Sequence, residues 1–279
     1  MLVEPVPAAT VVLLHDSSRG PEVLMVRRHA RAGDFAGASV FPGGLVDPGD
    51  ADPELAPAES GFSVEKALDC LGEALPAAEA RALYVAACRE LFEEAGLLLS
   101  SQVTDAAFVR LCALRSGLQA GTESLRAALV GEGLVLALDR LLPFARWITP
   151  ELQPRRWDTR FFVAEAPQGQ VAQCDGTETS EAAWLRPADA LDAYRAGKHL
   201  LAPPTFRVLE ELCEFRTLAD ALESLRAAGP PRPILPVTLH GAPTLTMVYP
   251  GDRDYPPASG GSGLNRLILD GGRWRSERS

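Results

Sequence analysis

Apolar and polar positions along the chain follow the period of strands in some segments and that of helices in others. Valine- and leucine-rich runs at 10–14 and 22–28 flank a polar turn and predict two adjacent strands. Apolar residues spaced by three and four over 77–95, after Pro76, predict a long helix. Further strands are predicted at 39–41, 144–148, 160–164 and 182–185, and further helices at two places within 106–138 and at 187–196, 205–215 and 217–228.

Because strands and helices are intermixed along the chain, the pattern predicts an α/β class. Residues 47–75 are rich in proline, aspartate and alanine, which predicts an irregular excursion with at most one short helix. After Gly229 there are apolar runs at 234–239, 244–248 and 264–269. We therefore expect a main domain over 1–229 and a β-rich C-terminal extension over 230–279 that contains a flexible glycine-rich loop.

The composition excludes several classes of protein. The 279 residues are 47% apolar and 23% charged, as in folded globular proteins, so a disordered or fibrous chain is excluded. The net charge of -10 provides no positive field that would attract nucleic acid. No run approaches the ~20 apolar residues of a membrane span, and the five cysteines are scattered, as in a reducing compartment. We expect a cytoplasmic protein with no nucleic-acid or membrane partner.

The candidate chemistry lies at the end of the long predicted helix, in the segment Arg-Glu-Leu-Phe-Glu-Glu-Ala-Gly-Leu at 89–97. At about 100° per residue, Glu90, Glu93 and Glu94 share one side of this helix. The other side is apolar and contains Tyr84, Cys88, Leu91 and Ala95. Neighbouring carboxylates repel one another, and a hard divalent cation such as Mg²⁺ would turn that repulsion into binding. The alternative is a solvated acidic helix face.

These residues, together with an upstream double glycine, resemble the signature of the Nudix hydrolases, G-x5-E-x7-R-E-U-x-E-E-x-G-U, in which U is a bulky aliphatic residue. Gly44 matches the first glycine, Asp50 takes the place of the first glutamate, and residues 89–97 match the whole second half. Between Asp50 and Arg89 lie 38 residues where the pattern has seven, so an insertion of 31 residues interrupts the signature. The resemblance implies an α/β/α sandwich with a mixed sheet, an insertion at about 51–81 and a helical insertion at about 103–140.

The interrupted signature is similar to one branch of this family, the peroxisomal coenzyme A diphosphatases of animals and their bacterial relatives. The similarity extends to segments 23–44, 147–167, 174–187 and 200–206. It implies hydrolysis of coenzyme A or acyl-coenzyme A, with Mg²⁺ or Mn²⁺, to 3′,5′-ADP and (acyl-)4′-phosphopantetheine. The animal enzymes end in a peroxisomal address, whereas this chain ends in Ser-Glu-Arg-Ser, so a cytoplasmic location is expected.

Two other functions stay open at this point. One is a Nudix pyrophosphatase that acts on ADP-ribose, NADH or another nucleoside diphosphate derivative. The other is a noncatalytic Nudix domain that senses a nucleotide. In each case the partner is a small-molecule nucleotide, and a homodimer is compatible with the sequence.

The resemblance also implies roles for individual residues. Glu90 and Glu94 would bind the metal directly, and Glu93 would be a further ligand or the base for the attacking water. Arg89 would orient these carboxylates. The double glycine, Gly43 and Gly44, would let the backbone approach metal and phosphate closely.

Further candidates surround this centre. Asp50 has a shorter side chain than glutamate, and the insertion either leaves it in the site or displaces it. A distal acidic ligand is expected at Glu178 in preference to Glu181. Phosphate contacts are expected from basic residues, with solvated surface arginines as the alternative. These candidates are Arg155, Arg156 and Arg160 near one strand. The resemblance to the coenzyme A branch implies further contacts to that substrate from Arg27, Arg28 and His29, before the double glycine. Trp157 or Phe161 would stack on adenine.

Overall fold

The computed structural model describes residues 3–29, 35–52, 61–100, 103–256 and 261–279. The strands of the first 229 residues are β1 (Val6–Ser17), β2 (Gly20–Arg28), β3 (Ser39–Val40), β4 (Gly43–Leu45), β5 (Leu142–Ile148), β6 (Trp157–Glu165) and β7 (Thr179–Leu185). The helices are α1 (Val64–Leu71), α2 (Ala77–Ala95), α3 (Asp105–Gln119), α4 (Leu125–Glu132), α5 (Pro187–Arg195), α6 (Pro203–Leu212) and α7 (Leu218–Ala227). The last 50 residues contribute β8 (Pro233–Ile234), β9 (Val237–Thr238), β10 (Thr246–Val248), β11 (Asn265–Asp270) and β12 (Arg273–Arg278).

The main sheet is mixed, and β1 lies near its centre. Along one edge β1 pairs in parallel with β6, and along the other it pairs antiparallel with β4 near its start and with β2 near its end. β2 also pairs with β3 and β7, while β5 and β8 extend the sheet beyond β6. Because β4 begins with the double glycine, this topology places the double glycine beside the central strand.

Both faces of the sheet are covered by helices. In β1, Ala9, Val11 and Leu13 are buried in one apolar cluster with α2, whereas Val12 and Leu14 are buried in a second cluster with α5, α6 and α7. Successive residues of a strand point to opposite sides of the sheet, so the two clusters are separate layers. The α/β/α sandwich with a mixed sheet is confirmed.

Helix α2 has the predicted bounds and is buried on nearly all sides. The Tyr84 ring packs on Phe162 of β6 with ring centroids 4.6 Å apart. The helix ends at Gly96, which has a φ of 66°, a left-handed conformation that glycine adopts without steric cost. The acidic turn of α2 therefore lies inside the molecule, and the alternative of a solvated acidic face is excluded for this helix.

The two predicted insertions both add to the α2 side of the sandwich. In the first, residues 53–60 lie outside the described residues, and α1 packs on α2 through the buried Leu71. In the second, α3 and α4 contribute Leu111 and Leu129 to the same cluster. The helices of both segments thus belong to one core with α2, and the assignment of these segments as insertions stays a prediction.

The C-terminal extension packs on the sandwich. β8 joins the main sheet in parallel with β5, and β9 to β12 form a separate antiparallel sheet. Tyr249 and Leu267 from this sheet are buried in the cluster that contains α6. Arg207 of α6 also donates to Ser276 Oγ of β12 at 2.6 Å. The division at residue 229 stays a prediction.

The structure describes part of the glycine-rich loop for which flexibility is predicted. Its residues 251–256 include Asp252, which is 0% exposed and accepts hydrogen bonds from Arg266 Nε at 2.9 Å and Nη2 at 2.5 Å. Residues 257–260 lie outside the described residues. β12 was not predicted, because Arg-Trp-Arg-Ser-Glu-Arg contains a single apolar residue, yet it pairs along its whole length with β11.

Within the described residues, none of the helices combines the length and the apolar character that crossing a membrane requires.

Replacing Asp252 with alanine should lower the free energy of unfolding by about 3 to 5 kcal/mol, because it leaves the buried Arg266 guanidinium without its main partner. Urea denaturation measures this change. Asp270→Ala is the matched control, because Asp270 is exposed on the neighbouring β11, and its effect should stay within about 0.5 kcal/mol. Equal effects of the two substitutions would show that the loop is not anchored through Asp252.

Candidate active site

The double glycine lies directly against two glutamates of α2. Gly43 N donates a hydrogen bond to Glu94 Oε2 at 3.0 Å. A Cβ atom at Gly44 would come within 2.4 Å of Glu90 Oε1, closer than any side chain permits. Only glycine allows the backbone of β4 to approach the Glu90 carboxylate in this way. The close approach predicted for the double glycine is therefore made to the carboxylates themselves.

Arg89 connects the carboxylates of the site. Its Nη1 donates to Glu90 Oε1 at 2.8 Å and to Glu93 Oε2 at 3.2 Å. Its Nε and Nη2 donate to the two oxygens of Asp50 at 2.9 and 3.0 Å, and Nη2 also donates to Leu45 O at 2.8 Å. The Arg89 guanidinium thus orients two glutamates and fixes the backbone next to the double glycine.

Asp50 stays in the site despite the insertion that follows it. It lies in the short 3-10 turn Pro48–Ala51, is 2% exposed, and accepts a hydrogen bond from Asp47 N at 2.8 Å. Its bidentate pair with Arg89 is the geometry in which a carboxylate binds a guanidinium most strongly. Of the two outcomes that the sequence left open for Asp50, the structure shows the one in which it remains.

Burial makes the glutamates difficult to ionise. Burial, with a contribution from the Glu90 charge, raises the pKa of Glu94 to about 8, although Gly43 N–H and Arg28 oppose the shift. Burial raises the pKa of Glu90 to about 7 against the opposing effect of Arg89. Burial also raises the pKa of Glu93, again opposed by Arg89. A carboxyl group with a raised pKa is poorly stabilised as an anion by its surroundings, so a cation that replaces its proton would stabilise its charged form strongly.

The sequence predicts Glu90 and Glu94 as metal ligands and leaves Glu93 as a further ligand or the base. In the described part of the chain, no three His, Cys, Asp or Glu side chains form a group able to hold a metal alone. Glu93 bonds to Arg89, while Glu90 and Glu94 face the double glycine. Mg²⁺ commonly takes one or two protein carboxylates and completes its shell with water and substrate phosphate. Glu90 and Glu94 satisfy that requirement.

The last turn of α2 has a partner for each of its final carbonyl groups. A helix leaves its last four carbonyls without partners inside the helix, and they need other donors when buried. The donors are Gly96 N for Phe92 (2.9 Å), Arg115 Nε and Gln119 Nε2 for Glu93 (2.8 and 2.9 Å), Thr179 Oγ1 for Glu94 (3.0 Å) and Gln173 N for Ala95 (2.8 Å). The turn that carries the glutamates is thereby held by α3 and by the segment leading into β7.

The structure distinguishes the two candidates for the distal acidic residue. Glu181 forms an ion pair with Arg27, with a 3.5 Å separation. Glu178 instead contributes to the raised pKa of Glu94, which places its charge near that carboxylate. His29 N donates to Glu178 O at 2.7 Å, so the two strand ends meet here. These surroundings favour Glu178 over Glu181, and the role of Glu178 as the distal acidic residue stays a prediction.

Two of the predicted phosphate contacts are wrong. Arg160 is buried and forms a bidentate pair with Glu73, at 3.1 and 2.5 Å. Arg156 is also buried and donates to the backbone oxygens of Thr149 and Val3 at 3.0 and 2.7 Å. Both guanidinium groups hold parts of the fold together, and neither is available to phosphate.

The remaining basic and aromatic candidates have mixed outcomes. Arg28 lies close enough to Glu94 to lower its pKa, and so remains a candidate for binding phosphate. The Phe161 ring is buried against Phe41, with centroids 6.5 Å apart, and cannot stack on adenine. The roles of Arg155 and Trp157 stay predictions.

The residues that hold the end of α2 were not predicted from the sequence. Arg115 and Gln119 are four positions apart on α3, a spacing that places both on one helix face, but nothing in the sequence shows what that face contacts. Asp175 begins an Asp-Gly turn, which is a recognisable turn signal. Its contact with Gln119, at 3.0 Å, joins segments 56 residues apart and has no sequence signature.

Comparison with known proteins gives one consistent family. A family model, the NUDT19 Nudix domain, matches residues 56–212. The chain is 29% identical over 295 residues to the acyl-coenzyme A diphosphatase NUDT19 of Gallus gallus, covering 89% of this chain and 76% of that protein. It is 25% identical over 280 residues to the protein of the same name from Homo sapiens, covering 85% and 73%. A solved Nudix hydrolase from Alicyclobacillus acidocaldarius superimposes with a TM-score of 0.62 at 27% identity, covering 81% of this chain and 98% of that one.

Gly44→Ala should disrupt the site without unfolding the chain, because the new Cβ would displace the Glu90 carboxylate. We expect the affinity for Mn²⁺, measured by electron paramagnetic resonance, to fall by about tenfold or more. Gly49→Ala is the matched control, since a Cβ at Gly49 meets nothing within 4 Å. Wild-type affinity in Gly44→Ala would contradict a cation site at Glu90.

Without metal, stability should fall as the pH rises from about 5 to about 8. A carboxyl group whose pKa is higher in the folded chain binds its proton more tightly when folded, so its contribution is complete below pH 4.5, the ordinary value, and is lost as the pH approaches 8. Thermal unfolding in chelator across this range tests the effect. Glu94→Gln, which resembles the protonated side chain, should show a smaller fall, and an identical fall would contradict the assignment to Glu94.

Proposed function

This chain belongs to the family of the NUDT19 Nudix domain, and we propose that it is a divalent-cation-dependent diphosphatase of coenzyme A and acyl-coenzyme A. Membership makes it a Nudix hydrolase, an enzyme that acts on small molecules. The proposal for its chemistry rests on one observation above the others. Two buried carboxylates with raised pKa values, Glu90 and Glu94, lie directly against the double-glycine backbone.

The choice of coenzyme A is supported by the relatives. The proteins from Gallus gallus and Homo sapiens are both named acyl-coenzyme A diphosphatases, and each match covers more than four fifths of this chain. The substrate carries several phosphate groups. Arg28, close to Glu94, would provide a positive charge for one of them.

In the proposed reaction a water molecule attacks one phosphorus of the diphosphate, and the bond to the bridging oxygen breaks. The products are 3′,5′-ADP and 4′-phosphopantetheine or its acyl form. A bound Mg²⁺ or Mn²⁺ would offset the negative charge of the diphosphate and make water more acidic. Glu90 and Glu94 would hold this cation, with Glu178 as the distal acidic residue. Glu93, whose pKa is raised by burial, would accept the proton of the water.

Arg89 and Asp50 would act through the glutamates. Arg89 donates hydrogen bonds to both Glu90 and Glu93, so it fixes the position of the proposed metal ligand relative to the proposed base. Asp50 holds Arg89 from the opposite side with two hydrogen bonds. Because misplacement of reacting groups by about 1 Å can cost about a hundredfold in rate, this support is part of the proposed machinery.

Purified protein should release 3′,5′-ADP from coenzyme A in the presence of Mg²⁺ or Mn²⁺ and lose this activity in chelator. Glu94→Gln should lower kcat/KM by about a hundredfold or more, because the variant loses a charged ligand. Glu178→Gln should lower it more than Glu181→Gln does. Glu223→Gln, at an exposed position on α7, is the control with wild-type activity.

A substrate panel ranked by kcat/KM separates the alternatives. A clear preference for ADP-ribose or NADH over coenzyme A would contradict the proposed substrate but remain consistent with the proposed hydrolysis of a diphosphate. Nucleotide binding without metal-dependent cleavage would contradict the chemistry and favour a sensor.

A further inference from the structure

The segment that leads into β7 contains a carboxylate saturated with hydrogen bonds. Asp175 Oδ1 accepts from Thr179 N at 2.7 Å and lies 2.5 Å from Thr179 Oγ1, whose single proton is shared between Asp175 Oδ1 and Glu94 O. Oδ2 accepts from Glu178 N at 2.8 Å, from Gln119 Nε2 at 3.0 Å and from the Thr177 hydroxyl. These donors hold the pKa of Asp175 well below its usual range, so the group stays ionised. Asp175 therefore fixes the backbone of both Glu178 and Thr179.

Thr179 links this turn to the acidic helix. Its side chain is 0% exposed, and its hydroxyl is 3.0 Å from Glu94 O as well as 2.5 Å from Asp175 Oδ1. In the sheet, Thr179 is paired with Arg28 across β2 and β7. One buried threonine thus joins three groups of the proposed site, namely Glu94, Glu178 and Arg28.

We propose that Asp175 and Thr179 are positioning residues, which hold the backbone of Glu94 and the neighbouring Glu178 in the relation that a divalent cation requires. This inference rests on the proposed function. Neither residue touches the substrate; each acts through a group that would hold the cation.

Several observations support a role in positioning beyond general stability. The hydroxyl of Thr179 bonds to the carbonyl of Glu94, and Glu94 is the one residue of the last helical turn whose side chain also bonds to the double glycine. Gln119 bonds both to Asp175 and to Glu93 O, so the same network reaches the neighbouring glutamate. A shift of this turn would move Glu93, Glu94 and Glu178 relative to one another.

The test compares a variant that removes the hydroxyl at nearly the same volume with one that keeps the hydroxyl and loses the methyl group. Thr179→Val removes it, and Thr179→Ser retains it. We expect the dissociation constant for Mn²⁺, measured by electron paramagnetic resonance, to rise by about tenfold or more in Thr179→Val and to stay within about twofold in Thr179→Ser. With coenzyme A as substrate, kcat should fall in Thr179→Val while KM changes much less.

Thr246→Val is the matched control. Thr246 is also a buried threonine, and its hydroxyl donates to Thr244 O at 3.1 Å in the C-terminal sheet. We expect Thr246→Val to lower the melting temperature about as much as Thr179→Val does, and to leave the affinity for Mn²⁺ unchanged. Asp175→Asn keeps the shape of Asp175 but replaces one acceptor oxygen with a donor group, and it should weaken Mn²⁺ binding even if Thr179→Val fails to fold.

Wild-type Mn²⁺ affinity in folded Thr179→Val or in Asp175→Asn would overturn the inference. A loss of Mn²⁺ affinity in Thr246→Val equal to that in Thr179→Val would also overturn the inference, because it would show that destabilisation in general weakens Mn²⁺ binding. If the wild-type chain binds Mn²⁺ and leaves coenzyme A intact, the proposed substrate fails. A raised dissociation constant in Thr179→Val would still support the positioning role in that case.

Discussion

One buried guanidinium holds the acidic centre of this molecule together. Burial opposes the charge on Arg89, but its hydrogen bonds and ion pairs with Asp50, Glu90 and Glu93 outweigh that effect and raise its pKa. Arg89 cannot balance all of the surrounding negative charge, since Glu94 lies outside its hydrogen bonds and is the most strongly perturbed of the glutamates. Under the proposed function, a divalent cation would take the place of the protons that the raised pKa values favour on Glu90 and Glu94.

The ion pair between Asp50 and Arg89 persists even though a long predicted insertion separates the two residues in the sequence. Asp50 and Arg89 close a loop of 38 residues where the family pattern has seven. For a flexible loop, that lengthening costs about 1.5 kcal/mol of closure entropy. Removing one partner from a buried ion pair costs about 3 to 5 kcal/mol. That cost disfavours separating the two charges once they are buried, and the inserted chain adds α1 to the core beside α2.

The rest of the fold supports this centre from two directions. The double glycine on β4 is fixed through pairing with β1, the strand whose two faces are buried under opposite layers of helices. The far end of the acidic turn is fixed by α3 and by the segment before β7, which together provide donors for its last carbonyls. The C-terminal extension packs on the opposite layer, with Tyr249 and Leu267, and so contributes to the sandwich away from the glutamates.

The sequence by itself determined the elements with strong periodicity and the residue types of the acidic turn. α2 was predicted to its terminal residues, since its apolar spacing and flanking Pro76 and Gly96 are local signals. The resemblance to the Nudix signature led to Glu90, Glu94 and the double glycine, because that chemistry depends on residue types at short spacing.

Only the tertiary structure decided the partners of the charged side chains. Arg160 and Arg28 are both arginines in strands, yet Arg160 is paired with Glu73 whereas Arg28 lies near Glu94. β12 was not predicted for the same reason, since its place in the sheet depends on pairing with β11 and not on apolar residues of its own. The roles of Asp175 and Thr179 depend on contacts between distant segments. Local sequence specifies where a charge occurs along the chain, but burial and pairing are set by residues that folding brings together.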